Sequence, residues 1–407
     1  MELTVERLGH LGDGIARGPD GTAIVVPRTL PGEVVTGTLV DDMLENVRIV
    51  TPSSDRVRPP CRHAGPCGGC QVQHVSDSAV RDWRVDVVTT ALAAQGLEAE
   101  FLPMHVSPPA SRRRATLGAR RTKKGAMAGF HGRASDSLVE IPDCKLLAPA
   151  VAAALPLAQD LAAVAGSRKG TLAVTVTSSG SGLDIAVSGG KELDTPLQVE
   201  LAKLAGASDL ARLTWGGETV AQRRPPFQTF GRARVVPPPG AFLQATPEGE
   251  AALLADVRTI VGDAKRVADL FAGCGTFSLP LAETAEVHAV EGDSAMTKAL
   301  DRGWRDAEGL KRVTTEARDL FRRPLTPDEL KRYDAVVLDP PRAGAQAQVA
   351  EIAAARVPVI AYVSCNPTSF ARDVRVLVQA GYSLETLRIV DQFRWSTHTE
   401  LVARLVL

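Results

Sequence analysis

PVIAYVSCNP, residues 358–367, decides how the chain is read. The run from Pro358 to Val363 is short, apolar, bounded by proline and rich in Val and Ile, which predicts a buried parallel strand. That strand delivers Cys365 to its carboxyl end, the edge where open α/β sheets bind ligands. Asn366 and Pro367 turn the chain, and Thr368 to Ala380 reads as the next helix, stopped by Gly381. A thiol at this edge is badly placed for core packing and well placed for nucleophilic attack. A buried structural cysteine is the commoner fate of a lone Cys, so the neighbouring motifs must decide.

Outward from this stretch, an α/β pattern fills residues 241–407. Strands are expected at 266–271, 286–291, 313–319 and 334–339, with helices between them, and at 384–390 and 400–406, a pair that suits an antiparallel edge. Phe242-Leu243-Gln244 precedes a helix capped at Thr246, with Pro247 at its first position. Asp269-Leu270-Phe271-Ala272-Gly273-Cys274-Gly275-Thr276-Phe277 follows the first strand and opens a helix, and its glycines allow a ligand close to the backbone. Glu291, ending the next strand, is suited to ribose hydroxyls. Strand, glycine loop, helix, strand and acid describe an adenosine-containing cofactor. A dinucleotide fingerprint wants a third glycine where Ser278 stands, which tilts the reading toward S-adenosylmethionine (SAM).

Asp339-Pro340-Pro341-Arg342 ends the fourth strand. Alone it suits an amino methyltransferase, but an exocyclic amine needs no thiol. Carbon 5 of a pyrimidine does: a nucleophile must add to carbon 6 first, and Cys365 can supply it. The methylated adduct then holds a proton on carbon 5 that a base must remove. Glu400, in Thr397-His398-Thr399-Glu400, is the candidate, ahead of His398; taken by itself it would pass for an ordinary edge-strand carboxylate.

The rest of the 407-residue chain is different in kind. Hydrophobic residues make up 44% and aromatics 4%, the profile of a globular protein with an aliphatic core. No apolar run spans a membrane and no signal peptide is evident. A cytoplasmic setting follows, in which the six cysteines are ligands or nucleophiles and not disulfides. The zero net charge is uneven: residues 1–52 carry 4 basic and 8 acidic side chains, 53–240 carry 23 and 16, and 241–407 carry 20 and 23. A basic middle segment points to a polyanionic partner. Residues 1–52 read as short strands with glycine turns, a small β-barrel. Cys61, Cys67 and Cys70 share one Gly-rich loop, and Cys144 is available as a fourth ligand; four thiolates suit zinc and an iron–sulfur cluster equally on spacing. His63 and His74 are bystanders. Arg112, Arg113, Arg114, Arg120, Arg121, Lys123 and Lys124 form a run without an acid, either a solvated face or a phosphate-binding strand. Residues 150–240 read as α+β without evident chemistry.

Gly12-Asp13-Gly14-Ile15-Ala16-Arg17 with Val26-Pro27 and Leu30-Pro31-Gly32-Glu33 resembles the TRAM domain, an OB-like RNA-binding barrel. The C-terminal motifs, in their order along the chain, resemble those of RNA 5-methyluridine (uracil-C5) methyltransferases, and the likeness spans almost the whole sequence, weakest over 150–240. The resemblance implies a Rossmann-like methyltransferase domain (241–407), an N-terminal TRAM barrel (1–52) and a central α+β iron–sulfur and RNA-binding domain (53–240). It implies SAM as donor, held by Gln244, Phe271, Thr276, Glu291, Asp319 and Asp339, with Thr276 and Asp319 standing where Asn also occurs in the family. It implies a flipped uridine as acceptor, Cys365 as nucleophile, Glu400 as base, and a [4Fe-4S] cluster on Cys61, Cys67, Cys70 and Cys144. Barrel and cluster together resemble the ribosomal-RNA branch ahead of the transfer-RNA branch. The expected partner is RNA, with no membrane, no obligate protein partner and a monomeric state. An RNA cytosine-5 methyltransferase would place its Cys in other loops and lack the Glu400 motif, and a non-catalytic RNA-binding protein would not need the Cys365–Glu400 pair.

Overall fold

The computed structural model describes residues 1–407. Strands Glu2–Leu8, Gly14–Arg17, Ala23–Val26, Val34–Val40 and Met43–Thr51 close into a barrel. Its interior is filled by Leu3, Val5, Ala16, Ile24, Val26, Val35 and Leu44, the inward half of each alternating strand.

A seven-stranded sheet forms the middle of the molecule. Its order is Glu218–Gln222, Arg212–Trp215, Gly182–Ser188, Leu172–Ser179, Arg114–Arg121, Ala126–His131 and Leu138–Glu140. Helix Leu155–Ala165 packs on it. The Ala-rich stretch over 148–166 forms two helices, Pro149–Ala152 and Leu155–Ala165. Pro156, in the first turn of the second piece, has no N–H to continue the ladder.

The third unit is built on an eight-stranded sheet. Val313–Ala317, Glu286–Glu291, Arg266–Leu270, Ala335–Leu338 and Val359–Ser364 run parallel, in that order. Glu400–Val406 follows antiparallel to Val359–Ser364, and Ser383–Asp391 antiparallel to it. This pair was expected at the sheet edge. Instead Glu100–Val106 adds outside it, parallel to Ser383–Asp391. Pro103 and His105 disguise that segment, and Pro is tolerated there because the strand is an edge.

Segments on the N-terminal side of residue 240 also contribute to the cores of this unit. Val88, Leu92 and Leu97 share a core with Leu270, Leu338 and Tyr362. Phe230, Ala233 and Val235, from the hairpin Gln228–Phe230/Ala233–Val235, share the other face's core with Leu253, Leu279 and Leu300. No helix is long and apolar enough to cross a membrane.

Candidate active site

The register of the sheet gathers the chemistry at one edge. Leu270 pairs with Leu338, Leu338 with Tyr362, and Ser364 with Leu401. The next residues along are Phe271, Asp339, Cys365 and Glu400, so four expected site residues leave neighbouring strands together. Asn366 caps the helix Pro367–Gln379 by accepting from Thr368 N–H. Its side-chain amide also donates to Arg342 O at 2.9 Å, which ties the Cys365 turn to the Asp-Pro-Pro-Arg loop.

The electrostatics of this edge are unusual. Glu400 is buried, and burial with the Asp339 charge pushes its carboxyl above the usual range, while a hydrogen bond from Gln392 draws it back. Burial, with the charges of Asp269 and Glu291, raises Asp339 as well. Burial followed by the carboxylates of Glu400 and Asp339 pushes the Cys365 thiol up to about 12, against the opposing Arg342 charge. The Cys365 thiol is therefore protonated at neutral pH.

Glycine loop and acid form a cradle. Phe271 adopts φ 64° and Gly273 φ 56°, a left-handed backbone that is costly for Phe and free for Gly. A Cβ at Gly273 would meet nothing within 4 Å, whereas one at Gly275 would strike Leu300 and Leu279. Gly273 thus faces open space and Gly275 admits the packing behind it. Gly273 N–H donates to Glu291 Oε2 at 3.0 Å, and Asp293 N–H to Oε1 at 2.9 Å. Ser278, in place of a third glycine, donates to buried Asp269 at 2.5 Å. Thr276 lies half-buried in the same loop. Asp319 is exposed and caps its own turn through Phe321 N–H. Phe321, missed in the sequence, lies 5.5 Å from Phe271, ring centre to ring centre. Gln244 is buried and donates to Asp339 Oδ2 at 3.2 Å. This open space, flanked by Glu291 and Asp339, fits an adenosine-containing cation.

Several members of the basic run are engaged within the fold. Arg113 donates to Gln244 O at 3.1 Å and pairs with Glu250 at 2.5 Å. Arg114 donates to Gly240 O, and Arg120 to Thr171 Oγ1. Arg113 and Arg114 fasten the middle sheet to the Gln244 segment. Arg121, Lys123 and Lys124 remain exposed.

Cys61, Cys67, Cys70 and Cys144 line one small cavity, with Phe130 and Ile141 among its walls. Burial raises Cys67 and Cys144 and takes Cys70 up to about 12. No group of three or more Cys, His, Asp or Glu side chains is arranged to hold a metal ion as it stands. The loop is pinned by Cys67 N–H to His63 O and Gly68 N–H to His131 O, both 2.9 Å. His74 is buried, and burial followed by the Arg56 charge takes it down to about 4, so its imidazole is neutral.

Sheet order, glycine cradle and carboxyl-edge residues define the fold of a SAM-dependent methyltransferase. The profile of the tRNA (Uracil-5-)-methyltransferase family matches residues 238–405, and that of the TRAM domain residues 1–36. An RNA methyltransferase of Brucella suis is 43% identical over 404 residues, 99% of this chain and 97% of the relative. The 23S rRNA (uracil(1939)-C(5))-methyltransferase of Halomonas elongata is 34% identical over 435 residues, 98% of this chain and 88% of the relative. The structure of Pyrococcus abyssi tRNA (uracil-54, C5)-methyltransferase, in complex with S-adenosyl-L-homocysteine, superposes with a TM-score of 0.78 over all of both chains at 22% identity, which speaks for the fold. The chain belongs to the SAM-dependent RNA (uracil-C5)-methyltransferase family.

Proposed function

We propose that the protein methylates carbon 5 of a uridine in 23S ribosomal RNA. The observation that carries this reading is the register that brings Cys365 and Glu400 out together beside Asp339. Cys365 Sγ gives its proton to solvent and bonds to carbon 6, sending the electron pair of the 5,6 double bond toward the carbon 4 oxygen. SAM, when bound, would supply the methyl group for carbon 5 and leave as S-adenosylhomocysteine, and its positive sulfonium would favour the Cys365 thiolate. Gln244, Phe271, Thr276, Glu291, Asp319 and Asp339 would hold the donor. Glu400 removes the carbon 5 proton, the double bond re-forms, and Cys365 leaves as the thiolate. The ribosomal substrate is supported by the Halomonas relative, whose match runs the length of this chain. A ribosomal substrate fits a cytoplasmic setting.

Cys61, Cys67, Cys70 and Cys144 would hold a [4Fe-4S] cluster. Sulfurs on a single zinc lie about 3.8 Å apart, whereas each thiolate of a cluster binds its own iron. Either group needs the four thiols around one cavity, as they are here, and the likeness to the ribosomal-RNA branch of the family is what favours the cluster.

RNA carrying 5-fluorouridine tests the covalent reading, because fluorine cannot leave as a cation. Wild type should form a denaturation-resistant complex. Cys365→Ala should form none while keeping its affinity for SAM. A complex that persists in the alanine variant would show the nucleophile to be misassigned.

A further inference from the structure

Gln392 stands where two parts of the site meet. It follows the strand Ser383–Asp391 and is almost wholly buried. Its side-chain oxygen accepts from Ala245 N–H at 2.8 Å. A backbone N–H can only donate, so the atom facing it is the oxygen and the amide orientation is fixed. The NH2 group then points the other way, donating to Gln244 Oε1 at 2.6 Å and Glu400 Oε2 at 3.2 Å. Gln244, its oxygen engaged, donates onward to Asp339 Oδ2. The result is a directed chain of amides between Glu400 and Asp339, started by a main-chain donor that cannot reverse.

We propose that Gln392 is a positioning residue for the elimination step: its amide N–H holds the Glu400 carboxylate and ties it to the segment that carries Gln244. The inference rests on Glu400 being the eliminating base. No cation reaches Glu400 directly. Asp339 faces it from the loop after Ala335–Leu338, and Cys365 lies beyond Val359–Ser364. The positive charges nearby are engaged elsewhere. Arg84, from the helix Asp77–Ala93, pairs with Asp391 at 2.9 Å and donates to Ser396 O and His398 O. Arg113 pairs with Glu250, and Arg342 acts on Cys365 and His398. His398, on the same segment, is pushed down by burial and then by Arg342, Arg112 and Arg84, so it stays neutral. The Gln392 N–H is thus the group that favours the charged form of Glu400, the form a base needs. A hydrogen bond to the charged form lowers an acid's pKa, so removing it moves Glu400 ionisation to higher pH.

The test uses the full chain, undermethylated ribosomal RNA and methyl-labelled SAM. The quantity read is the labelled protein–RNA adduct that survives denaturation, followed from pH 6.5 to 9.5. Wild type should accumulate none, and Glu400→Gln should accumulate it at every pH. Gln392→Met keeps the volume and loses the donor. Its adduct should build up near pH 7, with resolution about tenfold slower than in wild type, and clear as pH rises, the midpoint shifted up by about one unit. Gln392→Glu keeps the shape and adds a charge, so its midpoint should lie higher still, and it serves if the Met variant folds poorly. A merely structural role would slow resolution equally at all pH values, and that result would overturn the proposal. So would unchanged resolution in both Gln392 variants while Glu400→Gln stalls. If Glu400→Gln itself fails to stall, the assignment of the base falls first.

Discussion

Cys365 is held in the form that does not react. Its thiol is pushed up to about 12 by burial and then by Glu400 and Asp339. The site therefore favours the thiolate when positive charge arrives with the donor. This gives a pH prediction for the protein alone. Below its pKa a thiol's thiolate fraction rises about tenfold per pH unit. Iodoacetamide labelling of Cys365, followed by mass spectrometry of its peptide, should rise about tenfold per unit from pH 7 to 10 without a plateau. Levelling off near pH 9 would mean an ordinary thiol. At this scale Cys365 and Glu400 were legible because each sits at the end of an apolar run whose strand type could be read. Gln392 was not. A glutamine between a strand and a loop carries no periodic signal, and its role exists only once Ala245 and Gln244 are brought to it across the fold.

The elements divide in the same way. Three of the five parallel strands, Arg266–Leu270, Ala335–Leu338 and Val359–Ser364, are almost wholly buried runs whose positions followed from composition, whereas Val313–Ala317 buries only Val313. Glu100–Val106 escaped because Pro103 reads as a breaker, and the sheet partner that makes it a strand lies almost three hundred residues away. The run 112–124 drew attention for its charge, yet its first arginines are consumed by carbonyls and Glu250; charge in sequence does not say where a side chain points. The cysteine loop joins these pieces. Gln71 and Val72 N–H both donate to Trp395 O, at 2.7 and 3.0 Å, and Trp395 is on the segment that leads to Glu400. Arg28 of the barrel reaches Ala64 O in the same loop. A cluster held there would brace the loop against both neighbours. Protein purified without oxygen should be brown and contain about four iron atoms, and Cys144→Ser should lose the colour. One equivalent of zinc with no iron under the same conditions would replace the cluster with a mononuclear site.

Across the whole molecule, three units meet through specific bonds near the catalytic edge. Trp83 Nε1 donates to Gly9 O, and Arg133 pairs with Asp13, so helix and middle sheet both grip the barrel. Arg113 and Arg114 join the middle sheet to the cofactor segment, and Arg84 gathers the segment from Asp391 to Thr399. Such an assembly suits an acceptor too large for the catalytic unit alone to hold. The acceptor we propose is a uridine in ribosomal RNA, methylated at carbon 5 through Cys365. The most direct measurement is transfer of labelled methyl from SAM to undermethylated 23S ribosomal RNA, followed by digestion to nucleosides. All label should appear in 5-methyluridine with wild type, and none with Cys365→Ala. Label in 5-methylcytidine, or label in transfer RNA with none in 23S ribosomal RNA, would contradict it.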